Sequence, residues 1–211
     1  MDGAPAVLFA LSAFLYAAGF AATLPAIRRG REGLAALCSR ATVACVAAAF
    51  LVQSAAFAVQ GITLHQCPIA SRADLLEIVA WSAVAMYALS GAAVRTNLLG
   101  FFTSGLAALL SVAALAGGPG PVFPHVAAPV LVHAWLSLFS YGAFALAALA
   151  GGMYSIQLGG LRRRRWAGIF QLLPSLRELE GVMARLLFAG FGVYTVAILV
   201  GAAWMDSGDH N

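Results

Sequence analysis

Six long runs of apolar residues, each about the length of a membrane-crossing helix, constrain this chain more than any other feature of its sequence. A transmembrane helix needs about 20 largely apolar residues, and its backbone polar groups must be bonded within the segment. The runs cover residues 5–27, 41–61, 75–94, 98–117, 130–158 and 182–204. We therefore predict an all-α integral membrane bundle of about six transmembrane helices, forming a single transmembrane domain over residues 1–211.

The scarcity of charge supports a membrane protein and argues against a soluble one. Only 9% of the 211 residues are charged, whereas a soluble domain has about 25%. The chain carries a net charge of +4, and all of its basic residues are arginines. Because these arginines lie between the apolar runs, and not along a soluble basic face, we expect no binding of nucleic acid.

The arginine positions also predict how the bundle is oriented. Loops on the cytoplasmic side of a membrane carry an excess of basic residues. Eleven of the twelve arginines follow the first, third or fifth run, and only Arg72 falls on the other side, beside Asp74 and Glu77. Both termini are then outside, and the first run is a membrane anchor rather than a removed signal peptide. We expect a multi-pass protein embedded in membrane lipid.

Histidines carry the most usable chemistry in this sequence. The runs contain no clear mid-bilayer charge, which argues against an ion-coupled transporter and against paired carboxylates for acid–base catalysis. The four histidines, all at or beyond the predicted outer surface, are His65, His125, His133 and His210. Neutral imidazole is a good iron ligand, and a haem site needs one or two beside an apolar cavity. A solvated histidine at the interface is the alternative for each.

One face of the fifth run combines small, polar and aromatic residues. Its members, at helical spacing, are His133, Ser137, Ser140, Tyr141, Phe144, Ala148 and Gly151. Such a stripe usually packs against another helix. The alternative is a cavity wall with His133 at its outer mouth and Tyr141 deeper. Trp81 and Trp135 lie near the same interface, where either an aromatic belt or a cavity lining would explain them.

Two amides and several local patterns predict particular contacts. Gln53 and Gln60 are seven residues apart on one helix face, and an amide in lipid requires a partner, so we expect interhelical hydrogen bonds. Ser71 before Asp74, and Ser175-Leu-Arg-Glu178, each predict a capping box at a helix start. The pair Gly159-Gly160 is expected to end the fifth helix.

Two stretches carry a more specific pattern. The first begins at His65-Gln-Cys-Pro and reaches Trp81, and the second begins at His133-Ala-Trp-Leu-Ser and continues to Trp204. In order and spacing over about residues 50–204, they resemble the cytochrome c assembly family, the CcsA-like haem-handling membrane subunits of bacteria and chloroplasts.

The resemblance implies a function and a set of site residues. It implies presentation of non-covalent haem b at the outer face during c-type cytochrome assembly, with His133 as an axial ligand to the iron. It also implies a partner subunit and apocytochrome c, and an assembly factor more than an independent catalyst. The second ligand would come from His125, His65 or a partner, and the pocket lining from Trp135, Tyr141 and Trp81.

The sequence departs from the family in two ways. Many members have a histidine where this chain has Gln53, and the family continues past the sixth helix with a Trp-rich outer segment, so we expect a truncated or divergent member. Two other functions stay open from the residues. One is a non-haem membrane scaffold for an assembly partner, and the other is a small-molecule transporter that uses the cavity of the fifth helix.

Overall fold

A computed structural model describes residues 3–29, 32–64, 71–90, 97–118, 127–162 and 175–206. The six helices of these residues are α1 (Ala4–Arg29), α2 (Glu32–Leu64), α3 (Arg72–Leu89), α4 (Asn97–Ala116), α5 (Ala128–Arg162) and α6 (Leu176–Asp206). Each contains most of one apolar run, so the predicted all-α bundle is confirmed. His65, His125 and His210 lie outside the described residues, as do Arg163, Arg164 and Arg165.

Five of the helices are long and apolar enough to cross a membrane. The exception is α3, which has 18 residues and carries Arg72, Asp74 and Glu77 in its first two turns. It ends at Leu89, five residues before the end of the predicted run at 94. The placement of both termini outside the membrane stays a prediction, as does the extent of the single domain.

Helix ends follow the predicted local chemistry at two of three sites. At the start of α3, Asp74 Oδ2 accepts from the Ser71 backbone N–H at 2.7 Å, and Ser71 Oγ accepts from the Asp74 N–H at 3.4 Å. Ser175 and Glu178 form the same reciprocal pair before α6. Both capping boxes are confirmed. The predicted stop at Gly159-Gly160 is wrong, because both glycines keep helical geometry and α5 continues to Arg162.

The helices form two parts, which we name by their members. The four-helix group consists of α1, α2, α3 and α4, in which α1 packs along α2 and α4, and α3 packs on α4. The terminal pair consists of α5 and α6, which lie along each other over much of their length. The joint between the parts is the contact of α3 with α5, whereas α6 packs chiefly against α5.

Small residues let the helices approach closely at this joint. Gly142 of α5 lies so near α3 that an added Cβ would overlap Ser82 Oγ and stand 2.6 Å from the backbone nitrogen of Ala83. Ser82 Oγ also donates to the Leu138 carbonyl at 3.3 Å. Close backbone approach at glycine and serine is how helices associate in lipid, where there is no hydrophobic force between them.

Candidate functional site

His133, the candidate iron ligand, lies in the second turn of α5 and is held by the backbone of α6. Its Nδ1 is 2.7 Å from the carbonyl oxygen of Ala197. A carbonyl can only accept, so Nδ1 carries the hydrogen and donates it. In the neutral imidazole the lone pair is then on Nε2. Metal-binding histidines are usually held in this way, with one ring nitrogen donating to a carbonyl or carboxylate and the other left to bind the metal.

A glycine makes room for this imidazole on the surface of α6. An added Cβ at Gly201 would stand 2.8 Å from His133 Nδ1 and 3.2 Å from its Cε1. Gly201 lies one helical turn after Ala197, the residue that accepts the hydrogen bond. The absence of a side chain at 201 therefore allows the ring to lie against the helix and reach the carbonyl.

The imidazole lines a groove between the start of α5 and the end of α6. The groove has a volume of about 430 Å³, within the range of about 300–1,000 Å³ that small-molecule sites occupy. Its lining residues are Val130, His133, Ile198, Gly201, Ala202, Trp204 and Met205. A haem site needs a nitrogen ligand beside apolar walls. The residues of this groove therefore fit the haem that the family resemblance implies.

The two predicted tryptophans lie elsewhere, in an aromatic cluster between α2, α3 and α5. The rings of Trp81 and Trp135 are 6.4 Å apart, edge to face, and Phe57 packs edge-on against both. Trp81 Nε1 donates to Ser54 Oγ at 2.8 Å. Neither tryptophan lines the groove of His133. Their contacts are those of helix packing rather than those of a surface belt.

Tyr141 also lies apart from the groove, and the stripe on α5 packs against α6. The Tyr141 side chain is 47% exposed, with its ring 6.2 Å from that of Tyr194. Further along the same face, Phe144 packs closely against Gly190, and an added Cβ at Gly151 would stand 3.4 Å from Met183 Sδ. The stripe therefore packs against α6 at these positions, whereas Ala148 on the same stripe is exposed. Of the predicted ligands His133, His125 and His65, the structure describes only His133.

A second set of functional groups, centred on Gln53, crosses the four-helix group. Tyr16 Oη of α1 donates to Gln53 Oε1 at 2.8 Å. Gln53 Nε2 donates to Glu77 Oε2 of α3 at 2.5 Å and to the Glu77 carbonyl at 3.1 Å. Ser111 Oγ of α4 donates to the same Oε2 at 2.8 Å. One glutamine and one carboxyl group thus link all four helices.

A parallel contact lies two turns further along α2 and one turn earlier on α3. Gln60 Nε2 of α2 donates to Asp74 Oδ1 at 2.9 Å, so the interhelical hydrogen bonds predicted for Gln53 and Gln60 are confirmed. Both carboxyl groups are buried inside the bundle, with Asp74 at 1% and Glu77 at 0% exposure; the prediction that the runs hold no mid-bilayer charge concerns depth in the membrane and stays a prediction. The sequence signal was the pair of amides on one face of α2, which predicted that partners exist but not which residues they are.

No three His, Cys, Asp or Glu side chains gather as a metal site within the part of the chain that the structure describes. At His133 the described residues supply one histidine, and the two histidines predicted as second ligands, His65 and His125, lie outside them.

Comparison with known proteins gives one partial match. The chain is 39% identical over 75 residues to the protein HemX of Brevibacillus brevis. The match covers 36% of this chain and 28% of that protein. No family model matches the sequence, and no solved structure matches it. Because the match covers less than a third of that protein, the assignment to cytochrome c assembly stays a prediction.

Proposed function

We propose that this chain is a haem-handling membrane protein that binds haem in the groove between α5 and α6, with His133 as an iron ligand. The observation that carries the proposal is the hydrogen bond from His133 Nδ1 to the Ala197 carbonyl. This bond fixes the tautomer and the ring plane, and it directs the lone pair to Nε2. The name of the relative, HemX, agrees with haem as the molecule bound.

The residues around His133 would hold haem through apolar contacts alone. Gly201 sets the depth of the imidazole against α6, while Val130, Ile198 and Ala202 provide apolar walls. Such walls keep water from the iron and control its electronic properties. Bound haem would supply an iron centre whose ligands and environment decide whether it is carried, reduced or attached elsewhere.

The finer role that we propose is delivery of haem during assembly of c-type cytochromes at the outer face of a bacterial inner membrane. A partner subunit and apocytochrome c would then receive or retain the haem, and non-covalent haem b would be the form held. The chain's resemblance to that family and the position of His133 at the end of a spanning helix support this role.

A non-haem scaffold is the second candidate function, and α6 favours it. This helix packs chiefly on α5 and leaves large apolar side chains exposed, among them Phe188 at 81% and Phe191 at 66%. A partner helix would bury these side chains as well as lipid does. The scaffold predicts co-purification with a membrane partner and no haem spectrum.

A reduced absorption spectrum of the detergent-purified chain tests the proposal. With haem supplied during expression, we expect a Soret band with sharp α and β bands in the wild type. His133→Ala should lower bound haem by about tenfold or more, the scale on which loss of metal-site interactions acts. Tyr141→Phe, on the same helix but outside the groove, is the control and should keep full occupancy. Haem occupancy unchanged in His133→Ala would refute the proposal.

The same spectra assign the second ligand. His65→Ala and His125→Ala, each alone, should change the band positions and the occupancy only where that histidine binds the iron. A wild type without a Soret band, purified together with a second membrane protein, would favour the scaffold.

A further inference from the structure

Glu77 is a buried carboxyl group with one satisfied oxygen and one unsatisfied oxygen. Its side chain is 0% exposed. Oε2 accepts from Gln53 and from Ser111, whereas Oε1 is buried with no hydrogen-bond partner. Buried oxygen acceptors in native proteins nearly always have a partner, and each exception calls for an explanation such as a missing water or ion.

The surroundings of Glu77 supply hydrogen-bond donors but no described positive charge. The titratable groups facing it are Tyr16 of α1, whose hydroxyl is bonded to Gln53, and Asp74, one turn earlier on α3. Across the joint, α5 meets α3 through the Ser82 hydroxyl, and His133 is bonded to α6. Arg72, the one described arginine on α3, has an exposed side chain.

A second unsatisfied oxygen lies in the neighbouring contact between Gln60 and Asp74. Gln60 is 6% exposed, and while its Nε2 donates to Asp74, its Oε1 is buried without a donor. Unpaired oxygens of an amide and a carboxyl group thus lie on neighbouring helices. An ionised carboxylate is costly in a medium of low polarity unless a positive charge accompanies it, and oxygen atoms are the ligands that hard cations prefer.

We propose that Glu77 is the anchoring carboxyl of a monovalent-cation site in the four-helix group, where Oε1 binds either a proton or a sodium ion. The bound charge neutralises the carboxyl and satisfies the oxygen that the protein leaves without a partner. The site is separate from the haem groove, since it is built from α1 to α4 and includes no groove residue.

Two measurements on the haem-free, detergent-purified chain distinguish the two cations. The first is thermal unfolding in sodium chloride against choline chloride at equal ionic strength. A sodium site predicts a midpoint higher by about 5 °C in sodium, as saturating ligand stabilises a folded chain of this size. The second is the infrared difference between wild type and Glu77→Gln. A bound proton predicts loss of the C=O stretching band of a neutral carboxylic acid.

The matched control is Glu180→Gln on α6, an exposed glutamate that should alter neither the sodium response nor the acid band. Loss of an ionised carboxylate band in Glu77→Gln, together with equal midpoints in sodium and choline, would overturn the proposal. Should Glu77→Gln fail to fold, Glu77→Asp serves instead, because withdrawing the carboxyl by one methylene shifts the acid band or weakens the sodium response. A Glu77→Asp chain identical to wild type in both measurements would also overturn it.

Neither measurement depends on His133. The cation response should persist in His133→Ala, so failure of the haem proposal and failure of the cation proposal appear in different variants.

Discussion

The four-helix group and the terminal pair place their polar chemistry in opposite ways. In the four-helix group, Tyr16, Gln53 and Glu77 face inward and bond to one another across three helices. In the terminal pair, His133 bonds to the backbone of its neighbour and lines an open apolar groove. The inward network joins the four helices to one another, whereas His133 lines an open groove. Under the proposed function, the terminal pair provides the surface that binds haem.

The two parts also differ in what covers them. Fully buried side chains in the four-helix group include Phe9, Tyr16, Gln53 and Glu77. Most of α6 faces away from the bundle, and only 17% of its spanning window is buried. In a bilayer this face is covered by lipid, which accepts apolar side chains at no cost, so α6 is free to meet either lipid or a partner helix.

The largest effect should come from breaking the joint between the two parts. Gly142→Ala would place a Cβ against Ser82 Oγ and 2.6 Å from the Ala83 backbone nitrogen, and a backbone atom cannot move away as a flexible side chain can. We expect a loss of about 3 kcal/mol of stability or more, the upper range for overpacking. Thermal unfolding in detergent and the yield of monodisperse protein measure it.

Gly152→Ala is the control on the same helix, because an added Cβ at Gly152 meets nothing within 4 Å. It should leave stability unchanged or raise it slightly, as alanine favours the helix. Equal stability of the two variants would show that α3 and α5 do not depend on this close approach.

A smaller loss of stability should follow from removing a hydroxyl of the inward network, and almost none from removing one at the outer surface. Tyr16→Phe removes the hydroxyl that donates to Gln53 Oε1 and leaves a buried acceptor without a partner. The expected loss is about 1–3 kcal/mol of unfolding free energy. Tyr141→Phe, the same change at a 47% exposed side chain in the terminal pair, should shift stability by less than about 0.5 kcal/mol. Denaturant titration measures the unfolding free energy of both variants. Equal losses of unfolding free energy would show that the Tyr16 hydroxyl contributes no more than an exposed one.

The smallest effect should fall on binding rather than on folding. Gly201→Ala would place a Cβ 2.8 Å from His133 Nδ1 and push the imidazole off the Ala197 carbonyl. We expect haem affinity to fall about tenfold while the thermal midpoint changes little, as for the loss of a bond that orients a ligand. Haem titration of the purified variant measures the affinity. Gly192→Ala on the same helix, where a Cβ meets nothing within 4 Å, should bind as the wild type does.

Local patterns in the sequence were enough to predict the helices and two of their starting caps. Apolar length decided the spans, and a serine three residues before an acidic residue decided the caps at Ser71 and Ser175. The need of Gln53 and Gln60 for partners could also be predicted, because the cost of an unpaired amide in lipid does not depend on the fold.

The identity of those partners could not be predicted. Asp74 and Glu77 were assigned to the outer side only as neighbours of Arg72, and the packing of α3 against α2 is what brings them to the amides. The placement of Trp81 and Trp135 depends in the same way on three helices meeting. His133 was predicted from its residue type and position, but its bond to Ala197 depends on how α6 folds back along α5.

The network at Gln53 has a consequence for the order in which the chain enters the membrane. Until its neighbours are present, each of the helices α1 to α3 holds a polar group in lipid without its final partner, and the last donor, Ser111, arrives with α4. As synthesis proceeds from the N-terminus, the first four helices gain most by associating as soon as α4 emerges. The terminal pair shares none of these hydrogen bonds and can pack against the four-helix group after that group has assembled.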